Sequence, residues 1–152
     1  MTGLLVKHFG YNTLKDWQIL IIKAALEGRD SLVIQPTGSG KSLCFQLPSL
    51  ITGKSTVVLT PTISLMKDQC CKLGEHGISA TYLGSSQTDT QMDKKVQEGM
   101  YEIVYTTPEK FFDSNGCPSH IFKPILEAGR VGLIALDEVH LVKSWKNFRY
   151  VY

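Results

Sequence analysis

The chain has 152 residues, 43% of them hydrophobic and 20% charged, with a mean hydropathy of -0.03. That length suits one domain with a real core and excludes a second large one, while the composition excludes a disordered, collagen-like or membrane-bundle protein. Sixteen Lys and Arg against fourteen Asp and Glu leave a net charge of only +2, so any nucleic-acid surface must be local rather than a global basic field.

In chain order, an amphipathic stretch at 17–27 predicts a helix that Gly28 stops. The run 31–35 (SLVIQ) predicts a first strand, and 41–50 a second helix. Further strands are expected at 56–60 (TVVLT), 81–83 (TYL), 102–107 (EIVYTT) and 131–137 (VGLIALD). All are short and rich in β-branched or apolar residues, as strands buried on both faces are. Helices are predicted between them at 63–75, 88–99 and 119–128, the last delimited by Pro124.

Strands separated by helices need crossover connections, which predicts an α/β fold: a mainly parallel sheet with helices on both faces. Ligands of such sheets bind outside the carboxyl ends of the strands. The polar and Gly-rich clusters obey that rule, since 36–40, Pro61-Thr62, 84–86, 107–109 and 137–140 each follow a predicted strand.

Cys44, Cys70, Cys71 and Cys117 show no CxxC pair and no Cys/His ligand spacing. That argues against zinc or a disulfide framework and fits a reducing, intracellular compartment. No apolar run of signal length opens the chain and none approaches 18 residues, so neither secretion nor a membrane is expected. His8, His76 and His120 lack partner spacing, and Lys67, Lys94 and Lys95 read as solvated helix residues.

The strongest chemical signal is Thr37-Gly38-Ser39-Gly40-Lys41-Ser42, between a predicted strand and a predicted helix. This is a phosphate-binding loop: glycines let backbone N–H groups converge on phosphate oxygens, and the helix adds the positive end of its dipole. Lys41 would reach the β and γ phosphates of ATP, and the Ser42 hydroxyl would bind Mg²⁺. Gln35 stands where the usual pattern has its first glycine. Asp137-Glu138 ends the last apolar strand. Alone such a pair is a solvated strand end; with a phosphate loop upstream, Asp137 would hold Mg²⁺ through water and Glu138 would activate the attacking water.

Asp137-Glu138-Val139-His140 resembles the DExH box of superfamily 2 helicases, and 36–42 resembles their motif I. More narrowly, 43–48 (LCFQLP), 60–69 (TPTISLMKDQ) and 103–109 (IVYTTPE) resemble the RecQ family of DNA helicases, over almost the whole chain. Phe9-Gly10-Tyr11 with Lys15 and Gln18 is similar to that family's motif 0, and 82–87 (YLGSSQ) has a Werner-like flavour.

The resemblance implies that 1–152 is a RecA-like first motor domain carrying motifs 0, I, Ia, Ib and II, incomplete at its C-terminus and without its second motor domain. It implies cofactors ATP and Mg²⁺, with Lys15, Gln18 and His140 joining the nucleotide site and Gln18 reading the adenine edge. Its partner would be single-stranded or partly unwound DNA, gripped by Thr60, Pro61, Ser64, Gly84, Ser85, Ser86, Thr107, Pro108 and Glu109. Hydroxyls and amides there suit phosphate contacts that carry no sequence information. Trp145, Phe148 and Arg149 resemble the family's aromatic-rich loop, though one residue shorter than the family pattern. The implied activity is 3′ to 5′ unwinding driven by ATP, in repair and recombination, in the nucleus of a eukaryote or the cytoplasm of a bacterium. Two other readings stay open on the residues alone: a small P-loop kinase, and a non-catalytic nucleotide- or DNA-binding module.

Overall fold

The predicted strands at 56–60, 81–83, 102–107 and 131–137 form β1 (Ser55–Leu59), β2 (Ala80–Leu83), β3 (Ile103–Thr106) and β4 (Val131–Leu136). They do so in a computed structural model that describes residues 2–85 and 87–138. All pairings are parallel, in the order β2-β3-β1-β4. The chain therefore moves to one side of β1 for β2 and β3 and to the other side for β4, which puts a topological switch point at the carboxyl ends of β1 and β4.

Seven helices accompany the sheet among the described residues: α1 (Thr2–Phe9), α2 (Asp16–Leu26), α3 (Leu43–Thr52), α4 (Ile63–Glu75), α5 (Met92–Gln97), α6 (Pro108–Phe111) and α7 (Lys123–Glu127). The predicted helix at 63–75 forms over that whole range, whereas 88–99 and 119–128 shorten to α5 and α7. Pro124 lies in the first turn of α7, where its missing N–H costs nothing. Gly28 follows α2 in the left-handed region. Two helices, α1 and α6, were not expected.

Each face of the sheet has its own apolar layer. Val57 and Leu59 of β1 pack with Val104, Met92, Phe111 and Phe122 on the side of α5 to α7. Val58 and Tyr105 pack with Phe45 of α3 and Met66 and Leu73 of α4 on the other. Burial on both faces holds for β1 and β3, every residue of which is buried. It fails for β2 and β4, where burial alternates, because each lies at an edge of the sheet.

The predicted strand 31–35 does not form. Residues 31–36 pair with no strand, and Leu32 and Ile34 are 73% and 84% exposed. Strand propensity is only a preference for a half-buried pleated surface, and here the segment stays unpaired although β4 lies at an edge of the sheet. The phosphate loop consequently enters α3 from an unpaired segment rather than from a sheet strand.

Candidate nucleotide and nucleic-acid site

Helix α3 follows the Gly-rich loop and returns to β1 through only Gly53 and Lys54, with Gly53 in the left-handed region as its stop. So short a return makes the helix run back along the strand, which places its N-terminus at the carboxyl end of the sheet. Asp137 stands there too, since its N–H donates to Leu59 O at 2.9 Å and continues the ladder between β4 and β1. The fold thus brings Lys41 and Ser42 to the same rim as Asp137 and Glu138, residues far apart in sequence.

The loop has the features that a phosphate cradle requires. Gly38 and Gly40 adopt φ of 78° and 94°, open to glycine and strained for other residues. Among the described residues, no acceptor takes the N–H of Gly38, Gly40, Lys41, Ser42 or Leu43. The buried Ser39 hydroxyl also lacks a partner. Unpaired donors at a helix N-terminus form an anion site. Lys41 Nζ turns back onto the carbonyls of Gln35 and Pro36, at 2.8 and 3.0 Å, so the ammonium is held at the loop by acceptors that a phosphate oxygen can replace.

Helix α2 fixes this loop from outside. The Gln18 side chain, only 3% exposed, donates its amide to Gly40 O at 2.9 Å. Its oxygen accepts the N–H of Lys15 at the same distance. Lys15 Nζ donates to Ser39 O, again at 2.9 Å. The start of α2 and the Gly-rich loop are therefore directly bonded, a contact that sequence spacing does not reveal.

Glu138 is the single described non-glycine residue at positive φ, at 56°. Its N–H donates to Asp137 Oδ1 at 3.0 Å, which holds the Asp137 carboxylate against the backbone of Glu138. A non-glycine residue in that region costs about 1 to 2 kcal/mol, and such strain concentrates where a side chain must be aimed.

The residues expected on the nucleic-acid side lie at the carboxyl ends of β1, β2 and β3, which are neighbours in the sheet. Ser64, Ser85 and Glu109 are exposed there, and Pro61, Gly84 and Thr107 half-buried. Thr60 and Pro108 are buried, so their side chains support this rim from beneath. The Thr107 hydroxyl accepts the N–H of Lys110 and caps α6. Ser86, His140, Trp145, Phe148 and Arg149 lie outside the described residues.

Other polar groups have structural partners. His8 Nδ1 donates to His76 O at 2.8 Å and docks α1 on the end of α4. Lys95 pairs with Asp89, and Lys67 lies over the Tyr82 ring, so neither is only a solvated helix residue. Hydrogen bonding to Lys95 holds the Asp89 carboxyl below its ordinary range. Burial raises the Cys44 thiol to about 11; burial and then the neighbouring Cys71 raise that of Cys70 to about 12. Among the described residues no helix is long and apolar enough to cross a membrane, and no group of three or more His, Cys, Asp or Glu forms a metal site.

The profile of the DEAD/DEAH box helicases matches residues 15–152. The chain belongs to the DEAD/DEAH box helicase family. Within that family it is 41% identical over 157 residues to the ATP-dependent DNA helicase RecQ of Pasteurella multocida, covering 99% of this chain and 24% of that protein. It is 40% identical over 148 residues to the ATP-dependent DNA helicase Q-like SIM of Arabidopsis thaliana, covering 95% and 16%. It is 38% identical over 142 residues to the mouse bifunctional 3'-5' exonuclease/ATP-dependent helicase WRN, covering 93% and 10%. The chain spans at most a quarter of these relatives' lengths. The crystal structure of a hypothetical ATP-dependent RNA helicase from Sulfolobus tokodaii shares the helicase fold, with a TM-score of 0.59 at 19% identity, over 98% of this chain and 56% of that one.

Proposed function

We propose that this chain is the nucleotide-binding first motor domain of a RecQ-type, ATP-dependent DNA helicase. The observation that carries the reading is the set of unpaired N–H groups of Gly38, Gly40, Lys41, Ser42 and Leu43, at the same sheet rim as Asp137 and Glu138.

These amides and the dipole of α3 hold the nucleotide's phosphates, and Lys41 exchanges the carbonyls of Gln35 and Pro36 for phosphate oxygens. The Ser42 hydroxyl and the Asp137 carboxylate suit Mg²⁺, a hard cation that takes oxygen ligands and keeps several waters. Bound Mg²⁺ neutralises charge that develops on the phosphates. Glu138 takes a proton from the attacking water, with its backbone strain aiming the carboxylate. Lys15 orders the loop through Ser39, and Gln18 couples an adenine edge to Gly40. His140 links this site to the second RecA-like domain, the partner that completes the enzyme.

The DNA track runs along the ends of β1, β3 and β2, where Pro61, Ser64, Gly84, Ser85 and Glu109 reach the surface and Thr60, Thr107 and Pro108 shape it. On the resemblance, Ser86, Trp145, Phe148 and Arg149 also contribute to DNA binding; aromatic stacking contributes roughly 1 to 3 kcal/mol per unpaired base. We assign 3′ to 5′ polarity, a role in repair and recombination, and a nuclear site in a eukaryote on the same resemblance. In the full-length protein, ATP hydrolysis should rise with single-stranded DNA and drive strand separation. Phosphate transfer to a small acceptor, indifferent to DNA, would point instead to a kinase.

A further inference from the structure

The lysines of the later helices already have anionic partners: Lys94, Lys95, Lys110 and Lys123 each lie within 3.9 Å of a carboxylate. Lys67 of α4 is exposed and forms no ion pair among the described residues. Its neighbours one turn away along the helix surface are Ile63, Ser64, Cys70 and Cys71, none of them a carboxylate. The ammonium instead lies 5.7 Å from the centre of the Tyr82 ring, within the roughly 6 Å over which an aromatic face attracts a cation.

That place is at the rim where the DNA track is assigned. Helix α4 starts at Ile63, just past the end of β1 at Leu59, and its first turn rests against the exit of β2. A Cβ placed on Gly84 would stand 3.5 Å from Ile63 Cγ1 and 3.9 Å from Tyr82 Cδ2. Lys67 follows Ile63 by one turn on the same stripe, and helix side chains tilt toward the N-terminus, so its stem runs back toward this rim. Tyr82 is half-buried and packs against the layer that contains Met66, which gives the ammonium a firm seat. Exposed Ser64 and Ser85 flank it.

The chemistry of the seat leaves the charge available. A ring face attracts a cation without neutralising it, and an ammonium has three N–H donors to offer an oxygen anion. The described residues assigned to the track carry a single charge, Glu109, whose sign repels a phosphate. Lys67 supplies the opposite sign.

We propose that Lys67, seated on Tyr82, binds a backbone phosphate of single-stranded DNA at the exits of β1 and β2, with Tyr82 as its positioning residue. The proposal rests on the DNA-track reading and adds to it a charged contact that sequence alone reads as a solvated helix residue. Such a contact holds the strand and carries no sequence information.

The test titrates a fluorescein-labelled oligothymidylate with the full-length protein over a series of salt concentrations, read by anisotropy. Lys67→Gln removes the charge and keeps most of the stem. It should lower the slope of log affinity against log salt by about 0.7, the value of one phosphate contact on a single strand. The wild-type advantage should then shrink about 2.5-fold between roughly 50 and 200 mM salt. Lys67→Arg should keep the wild-type slope, and so should Lys94→Gln on α5, which controls for net charge. Tyr82→Leu should weaken binding severalfold in the wild-type background and leave Lys67→Gln unchanged, because a positioning residue acts through its partner.

A wild-type slope in Lys67→Gln would overturn the proposal, as would an equal drop in Lys94→Gln, the mark of a general field. Equal losses from Tyr82→Leu in both backgrounds would remove Tyr82 from it. Wild-type protein that binds the oligonucleotide with a salt slope indifferent to Lys67 contradicts only this inference. Wild-type protein that binds no single-stranded DNA overturns the track reading, and this one with it.

Discussion

Gln18 bonds Gly40: the side-chain amide of the first donates to the carbonyl oxygen of the second at 2.9 Å, across the boundary between α2 and the phosphate loop. The other end of the same amide accepts the N–H of Lys15. One side chain therefore satisfies an orphan donor at a helix start and fixes the curvature of the loop.

Gly40 should tolerate no side chain. An added Cβ would meet Gln18 Nε2 at 2.7 Å, and φ of 94° is unfavourable for any other residue. Gly40→Ala should move the loop and weaken ATP binding by more than about 10-fold, equivalent to roughly 1.4 kcal/mol, while leaving the sheet core intact. Nucleotide titration with circular dichroism as the folding control checks this; unaltered affinity would show that the contact yields freely.

Gln18→Ala should act in two ways. It leaves Gly40 O and the Lys15 N–H without their partners, a loss of about 1 to 3 kcal/mol where the groups stay buried. A lower melting midpoint together with weaker nucleotide binding is expected. Lys15→Ala, which removes an exposed bond to Ser39 O, should cost far less stability. Equal losses from the two variants would contradict this ranking.

Glu138→Gly should stabilise the fold by about 1 kcal/mol, because it relieves a left-handed residue at φ of 56°. The same change should abolish ATP hydrolysis by deleting the proposed base. Chemical denaturation and a phosphate-release assay read the two effects separately. A destabilised variant would mean that the side chain holds the fold rather than strains it.

The cysteines give a pH prediction. Cys71 and Cys117 are exposed and should be alkylated first, while Cys44 is buried and Cys70 half-buried. The Cys70 thiol rises from 9.0 to about 12, so the folded state disfavours the thiolate. The associated stability is complete below pH 9 and is lost as pH climbs toward 12. Cys70→Ala should flatten that alkaline loss, read as melting midpoint against pH; an unchanged slope would assign it to other groups.

Much of the fold was legible because its signals are local. The apolar runs at 56–60 and 102–107 become strands buried on both faces, and Ile63 to Glu75 becomes α4 without change. The strand predicted at 31–35 fails because pairing is a tertiary matter: Leu32 and Ile34 have the right side chains but stay exposed and pair with no strand. Helix α1 was missed because its docking depends on His8 meeting His76, 68 residues away. The Gly-rich loop at 37–42 and Asp137-Glu138 stand out in the sequence as local patterns, and the fold brings both to one sheet rim. The bond from Gln18 to Gly40 carries no such signature and emerges only from packing.

If the loop from Gly38 to Ser42 binds the phosphates of ATP beside Asp137, calorimetric titration of the full-length protein with a non-hydrolysable ATP analogue and Mg²⁺, against Lys41→Ala, should show it. Wild-type binding should be saturable and magnesium-dependent, and Lys41→Ala should weaken it at least about 10-fold, the loss of a charge-assisted contact of roughly 1.5 to 3 kcal/mol. Equal binding by both proteins, or none by the wild type, would contradict it.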